Sequence, residues 1–217
     1  MPRGWVSTAN QPTSPFTGGS GALALSISGA IAAGRKELDL VGVVALAFVT
    51  AIGGGTLRDL LLDRNPIFWL HDQLYIIVIA GAALLTVALS HRRPAPGKAL
   101  LIADALGLAL FCVLGARIAE DAGAAPLASA LLGAFTGCAG GVIRDVLSAE
   151  TPLVFRRGHL YVTCALAGAA TYVFAFRAGV PATAAAIGGM AVAAALRFLS
   201  IWRGWALPVF RLPRDSK

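Results

Sequence analysis

Two short motifs in the chain place an arginine and an aspartate side by side, three or so residues after a run of glycines. Both motifs lie within apolar segments. Ionised side chains in such segments are costly unless they are paired or face water, so they indicate a site that handles ions or polar solutes. The motif residues are Gly53, Gly54, Gly55, Arg58 and Asp59 in the first copy, and Gly140, Gly141, Arg144 and Asp145 in the second.

If both segments are helical, residues four positions apart share one face. Thr50, Gly54 and Arg58 then form a polar stripe, and the second copy repeats it. Each aspartate falls on the adjacent face and diverges from its arginine neighbour. We therefore expect the arginines to find partners elsewhere, at backbone carbonyls freed near the glycines or in the other copy. The stripe of the second copy consists of Thr136, Gly140, Arg144 and Ser148.

The glycines have two interpretations. Consecutive glycines weaken a helix and permit a kink that frees carbonyl oxygens, which in a membrane must face protein or water. Alternatively, small residues allow two helices to pack closely. Because the glycines recur at equivalent positions, we favour a functional break.

The charged residues are likewise interpreted as pore charges, with a structural ion pair as the alternative. For Asp104, a further acid in an apolar segment, we expect helix packing or a capping bond, or alternatively ion coordination.

The composition identifies the class of protein. Of the 217 residues, 57% are hydrophobic and 13% are charged, and the mean hydropathy is +0.75. Soluble domains carry about 25% charged residues, so an ordinary soluble protein is excluded. The net charge of +7 arises from short basic clusters between apolar stretches, which favours a membrane protein over a nucleic-acid-binding one.

Enzymatic chemistry is not expected. The three histidines lie near the ends of apolar segments, and no nucleophile and base pair is visible. The three cysteines, all within apolar stretches and without a CxxC motif, are interpreted as reduced small hydrophobic residues. We therefore expect no metal and no cofactor, only a permeant ion and a bound lipid. The cysteines are Cys112, Cys138 and Cys164.

Hydropathy predicts an all-α integral membrane protein with seven transmembrane helices. Residues 1–15 form an N-terminal segment and residues 200–217 a basic tail. The predicted helices cover residues 16–34, 40–62, 74–89, 99–118, 126–147, 160–176 and 182–199.

The basic residues predict the orientation, because cytoplasmic connections are enriched in lysine and arginine. Twelve fall in one set of alternate connections and only four in the other, Arg3, Arg64, Arg117 and Arg177. This places the C-terminus in the cytoplasm and the N-terminus outside. The twelve are Arg35, Lys36, Arg92, Arg93, Lys98, Arg156, Arg157, Arg197, Arg203, Arg211, Arg214 and Lys217.

An internal repeat relates the two motifs. At an offset of 86 residues, segment 50–75 aligns with segment 136–161 without a gap, and nine of 26 positions are identical. The chain therefore consists of two three-helix repeats, residues 16–89 and 99–176, plus a seventh helix. Because three is odd, the second repeat enters the membrane from the other side. Such inverted repeats are typical of transport proteins, although duplication could also be only an economical route to a helix bundle.

The segments GGGTLRDLLL and GGVIRDVL, the basic loop after SGAIAAGRKELDLVGV, and DALGLALFCVLGA together resemble the prokaryotic branch of the trimeric intracellular cation channel family, over about residues 20–200. The resemblance implies a symmetric homotrimer with one pore per subunit between the glycine-kinked second and fifth helices. It also implies passive, potassium-favouring conduction of monovalent cations. The pattern Asp104, Gly107, Phe111, Gly115 fits the family, whereas its counterpart lacks the Asp and the Phe. That counterpart is Gly18, Gly21, Leu25 and Gly29, and Ala139 replaces a third glycine in the fifth helix.

The leading hypothesis is thus a cation channel of the prokaryotic inner membrane, with lipid, monovalent cations and two further copies as partners. Its narrowest region would be formed by Thr50, Thr136 and the freed carbonyls, with the two arginines gating the pore or fixing helix shape. The arginines would repel cations unless acids or carbonyls neutralise them, so the sign of the permeant ion stays open. The alternative is a secondary transporter of a small zwitterion such as glycine, whose carboxylate an arginine could bind.

Overall fold

The computed structural model describes residues 15–92, 97–156 and 160–205. Within these ranges all regular secondary structure is helical, with seven long helices and a four-residue helix. The N-terminal segment up to residue 14 and the tail from residue 206, for which we predicted opposite sides of the membrane, lie outside the described residues. The helices are α1 (Pro15–Arg35), α2 (Leu40–Leu61), α3 (Phe68–His71), α4 (Leu74–Arg92), α5 (Ala99–Asp121), α6 (Pro126–Leu147), α7 (Tyr161–Arg177) and α8 (Ala182–Arg203).

The long helices match the seven predicted segments closely. Four of them, α2, α5, α6 and α8, are long and apolar enough to cross a membrane, and the chain is an integral membrane protein. The largest differences are at C-terminal ends. Helices α4 and α5 continue three residues beyond the predicted limits, and α8 continues four residues beyond its limit. A helix does not have to stop where its apolar stretch stops, because polar residues continue it into the headgroup region.

Contacts between connections show which helix ends lie together. Arg35 Nη2 donates to the carbonyl of Gly97 at 2.9 Å, and Lys36 Nζ lies 2.5 Å from Glu150 Oε1. The α1–α2, α4–α5 and α6–α7 connections therefore share one end of the bundle, here called the basic end. The hydrogen bond and charge of Lys36 lower the pKa of the exposed Glu150 carboxyl. At the opposite end, Arg177 Nε donates to Glu120 Oε2 at 2.9 Å.

The α1–α5 crossing shows reciprocal contacts between equivalent positions of the two sequence repeats. A Cβ built on Gly21 would lie 2.9 Å from Phe111 Cε2, and one built on Gly107 would lie 2.5 Å from Leu25 Cδ2. Gly21 and Leu25 correspond to Gly107 and Phe111 at the 86-residue offset. The leucine that departs from the family pattern therefore fills the same kind of space as the phenylalanine.

The three cysteines are free and buried, as expected of small hydrophobic residues. One basic residue is placed differently from the prediction. We counted Arg197 among the basic residues of the connections on one side of the membrane, but its side chain is 0% exposed within the bundle. The reason is that α8 continues to Arg203, so that Arg197 lies inside the helix rather than at its end.

Candidate functional site

The two motifs lie on α2 and α6, which cross closely at their glycines. A Cβ built on Gly54 would overlap the carbonyl oxygen of Thr136, and one built on Gly140 would overlap the carbonyl oxygen of Thr50. The contact is reciprocal, because the 86-residue offset relates both the glycines and the threonines. At these two positions the glycines allow the two helices to pack closely. This is the second of the two roles that the sequence suggested for them.

Neither helix is interrupted at the glycines in the described structure, and a kink there stays a prediction. Helix α2 is continuous from Leu40 to Leu61, and α6 is continuous from Pro126 to Leu147. The backbone of the other helix occupies the space where a side chain on each glycine would lie. The helices can therefore approach closely without an interruption of either one. The sequence could not distinguish the two uses, since both require residues without a side chain.

The threonines of the polar stripes are buried at this crossing. Thr50 Oγ1 donates to the carbonyl of Leu46, and Thr136 Oγ1 donates to the carbonyl of Leu132, both at 2.6 Å. The glycines of both motifs are buried as well. The crossing is therefore closed in this structure, with threonine oxygens and carbonyl groups inside it.

The first charged pair lies at the end of α2 away from the basic end. Arg58 Nε and Nη2 donate to Asp59 Oδ1 at 2.9 and 2.7 Å, and both side chains are buried. Asp59 Oδ2 accepts a hydrogen bond from the backbone N–H of Phe68 at 3.0 Å. Arg64 Nη1 lies 3.8 Å from the same carboxylate. The pair thus fixes the connection that follows α2.

The second charged pair is at the basic end, and its geometry is equivalent. Arg144 Nε donates to Asp145 Oδ1 at 2.9 Å, and Asp145 Oδ2 accepts from the backbone N–H of Leu153 at 2.8 Å. Here too the carboxylate links the arginine to the connection that follows the helix. Both aspartates therefore have a structural role in addition to any role in transport.

Asp104 joins the second pair but has no counterpart in the first. Its Oδ1 accepts from Arg144 Nη1 at 2.7 Å and from the hydroxyl of Tyr161 at 3.0 Å. Arg144 Nη1 also donates to Ser28 Oγ on α1. The position equivalent to Asp104 is Gly18. Arg144 therefore faces two buried carboxylates, whereas Arg58 faces one.

These contacts correct the predicted partners of the arginines. We expected adjacent arginine and aspartate side chains to diverge, but each arginine turns back to its own neighbour, because its side chain is long enough to span the 100° between them. Only Arg144 also reaches the other repeat, through Ser28.

Ser148, assigned to the polar stripe, is buried, and its hydroxyl has no hydrogen-bond partner among the described residues. Tyr161 was not predicted as a site residue, although its match to Tyr75 at the end of the aligned segment was a signal.

Solved structures of similar sequence share this fold. The chain superposes on the trimeric intracellular cation (TRIC) channel orthologue from Rhodobacter sphaeroides with a TM-score of 0.83 and 38% identity, covering 89% of this chain and all of that one. The chain belongs to the TRIC channel family, in its prokaryotic branch. A second TRIC channel matches with a TM-score of 0.84 and 36% identity over 94% of this chain and all of that one. These TRIC neighbours are channels, and this member of the family is not an enzyme.

Curated relatives of this TRIC-family chain are membrane proteins. The inner membrane protein YadS of Escherichia coli K12 is 37% identical over 199 residues, which covers 91% of this chain and 96% of that protein. A membrane protein of Deinococcus radiodurans is 39% identical over 194 residues, covering 89% and 90%. The family model that matches residues 18–91 and 101–177 carries the description "Glycine transporter".

Proposed function

We propose that this TRIC-family protein is a passive, potassium-favouring cation channel of the prokaryotic inner membrane, with one pore per subunit at the α2–α6 crossing. The observation that carries the proposal is the reciprocal contact of Gly54 and Gly140 with the carbonyls of Thr136 and Thr50. The TRIC neighbours, described as cation channels, support it. Because the crossing is closed, conduction requires α2 and α6 to separate there.

Separation would uncover oxygen ligands suited to a monovalent cation. The carbonyl and hydroxyl oxygens of Thr50 and Thr136 already lie inside the crossing and can replace water around an ion. The ion pairs neutralise the arginine charges that would otherwise repel cations. Asp59 pairs with Arg58, and both Asp104 and Asp145 pair with Arg144. The arginines then fix the helix ends and gate the path without leaving a bare positive charge at either mouth.

The proposed assembly is a homotrimer in which each subunit has seven transmembrane helices. Its two inverted repeats would be residues 16–89 and 99–176, with residues 182–199 as the additional helix. The reciprocal glycine contacts at the α1–α5 and α2–α6 crossings support this arrangement, because each involves positions related by the same offset. The likeness to the Rhodobacter sphaeroides protein, which is described as a trimeric channel, supports the proposed trimer.

The proposed orientation places the basic end in the cytoplasm, and cysteine labelling tests it. The native cysteines are buried, so one introduced cysteine dominates the reaction with a membrane-impermeant maleimide. We expect Asp121→Cys, at the opposite end, to react in cells whose outer membrane alone is permeable. Glu150→Cys, at the basic end, is expected to react only after the inner membrane is permeabilised. The reverse pattern would invert the proposed topology.

Planar-bilayer recording of the purified protein under asymmetric potassium chloride tests the channel itself. We expect discrete conductance steps and a reversal potential displaced toward the potassium equilibrium potential. Protein-free bilayers from the same lipid and detergent are the control. A reversal potential on the chloride side would overturn the cation assignment, and the absence of unitary currents with a folded trimer would overturn the pore.

A secondary transporter of a small zwitterion is the second candidate, and the family description "Glycine transporter" favours it. The polar atoms of Arg144 and Asp104 offer both a donor and an acceptor for such a solute, and the carboxylate atom Asp104 Oδ2 has no partner among the described residues. Uptake of radiolabelled glycine into liposomes distinguishes the candidates. Saturable uptake without unitary currents supports the carrier, whereas currents without saturable uptake support the channel.

A further inference from the structure

The second repeat carries one more buried acid than its own arginine balances. Asp104 Oδ1 lies 2.7 Å from Arg144 Nη1, and Asp145 Oδ1 lies 2.8 Å from Arg144 Nη2, with all three side chains buried. In the first repeat, by contrast, the buried charges of Arg58 and Asp59 pair one to one. Two carboxylates against one guanidinium leave one negative charge over. A buried charge without a countercharge is costly, so a further positive charge is required nearby.

Arg197 of α8 supplies a buried positive charge beside these acids. Its side chain is 0% exposed, and none of its three nitrogen atoms has a hydrogen-bond partner among the described residues. With Arg197 the cluster contains two charges of each sign. Helix α8 lies outside the two aligned repeats, and the position equivalent to Asp104 is Gly18. The additional acid and the additional arginine therefore both lack a counterpart in the first repeat, as expected if each compensates the other.

The ring of Tyr161 connects Arg197 to Asp104. The guanidinium carbon of Arg197 lies 4.6 Å from the ring centroid, and the Tyr161 hydroxyl donates to Asp104 Oδ1 at 3.0 Å. The Cys138 thiol interacts electrostatically with both Asp104 and Arg197. A cation over the ring face polarises the phenol toward the carboxylate, and opposite charges attract over several ångströms where the effective dielectric constant is low. Arg197 can therefore stabilise the Asp104 carboxylate without a direct hydrogen bond to it.

We propose that Arg197 is a positioning residue, which balances the second buried carboxylate and, through the Tyr161 ring, holds Asp104 as a carboxylate bound to Arg144. Without Arg197 the cluster would carry one surplus negative charge. A proton from the solvent would then bind Asp104 Oδ2, the carboxylate oxygen that has no partner among the described residues. The charge balance does not depend on conduction. Only its consequence, that α8 helps to set the charge at the basic end of the α2–α6 crossing, rests on the proposed function.

Infrared spectroscopy of the purified full-length protein at neutral pH tests the charge of Asp104 directly. In Arg197→Met we expect the C=O stretching band of a protonated carboxylic acid, which the wild type should lack. The band should also be absent from Arg197→Lys, which restores the positive charge, and from Arg197→Met combined with Asp104→Asn, which removes the carboxyl group. A band in the wild type, no band in folded Arg197→Met, or a band that persists in the double variant would overturn the proposal.

Thermal unfolding in detergent tests the same balance, and it also decides the case in which Arg197→Met alone does not fold. We expect Asp104→Asn to lower the unfolding temperature of the wild type by roughly 5–10 °C, because it leaves two buried arginines with one acid. In Arg197→Met the same substitution should instead raise the unfolding temperature or restore folding, because it removes the surplus negative charge.

Arg203→Met is the matched control, since it removes an exposed arginine from the same helix. In this background Asp104→Asn should be as damaging as in the wild type. A loss of the same size in all three backgrounds would show that Arg197 and Asp104 are not coupled. A coupled pair in a protein without conductance would leave the inference standing and remove only the channel.

Discussion

Replacing Gly54 and Gly140 together with alanine is expected to destabilise the protein and to favour its open state. Each added Cβ would overlap a carbonyl oxygen of the other helix, Thr136 for Gly54 and Thr50 for Gly140. Overpacking of this kind costs about 1–3 kcal/mol per site. Because backbone cannot rotate away as a side chain can, α2 and α6 must move apart. We expect a lower unfolding temperature in detergent and, in bilayers, a higher open probability than the wild type.

Gly81→Ala is the matched control for this pair. A Cβ built on Gly81 of α4 meets no heavy atom within 4 Å, and alanine is favoured over glycine in a helix by about 1 kcal/mol. This variant should therefore be as stable as the wild type or more stable, with unchanged conductance. If the double variant behaves like Gly81→Ala in both measurements, the α2–α6 crossing does not form the closed gate.

Arg144→Ala is expected to be considerably more damaging than Arg58→Ala. Removing Arg144 leaves Asp104 and Asp145 buried without a partner for their charge, and breaking a buried pair in this way costs about 3–5 kcal/mol. Removing Arg58 leaves one carboxylate, which still has Arg64 Nη1 at 3.8 Å. Chemical unfolding in mild detergent should show the larger loss for Arg144→Ala. Equal losses would mean that Asp104 does not contribute to the pair.

A double variant separates the charge from the packing. Arg144→Ala combined with Asp104→Ala removes one buried carboxylate along with the guanidinium, so we expect it to be more stable than Arg144→Ala alone. The matched comparison is Arg144→Ala with Ser28→Ala, which removes a neutral partner on α1 and should give no recovery. A double-variant cycle measures the coupling, and no coupling between positions 104 and 144 would contradict the geometry.

The sequence by itself determined the seven long helices and their order, but not the four-residue helix α3. The predicted starts at Leu40, Leu74, Ala99, Pro126 and Ala182 coincide with the observed ones. A membrane helix is defined by local properties, a long apolar run and the charges that flank it, so no other part of the chain is needed to locate it. The 86-residue offset likewise identified the paired motifs, and thereby the two helices that meet at the site.

The tertiary structure decided what those motifs do. That Gly54 contacts the backbone of Thr136, that Arg144 reaches Ser28 and Asp104, and that Arg197 is enclosed beside Tyr161 all depend on groups from other helices. A missing side chain permits both a kink and a close contact, and a flexible arginine can reach many partners. Residue type and spacing do not decide between such alternatives, because the free energy of each depends on the neighbouring groups that packing supplies.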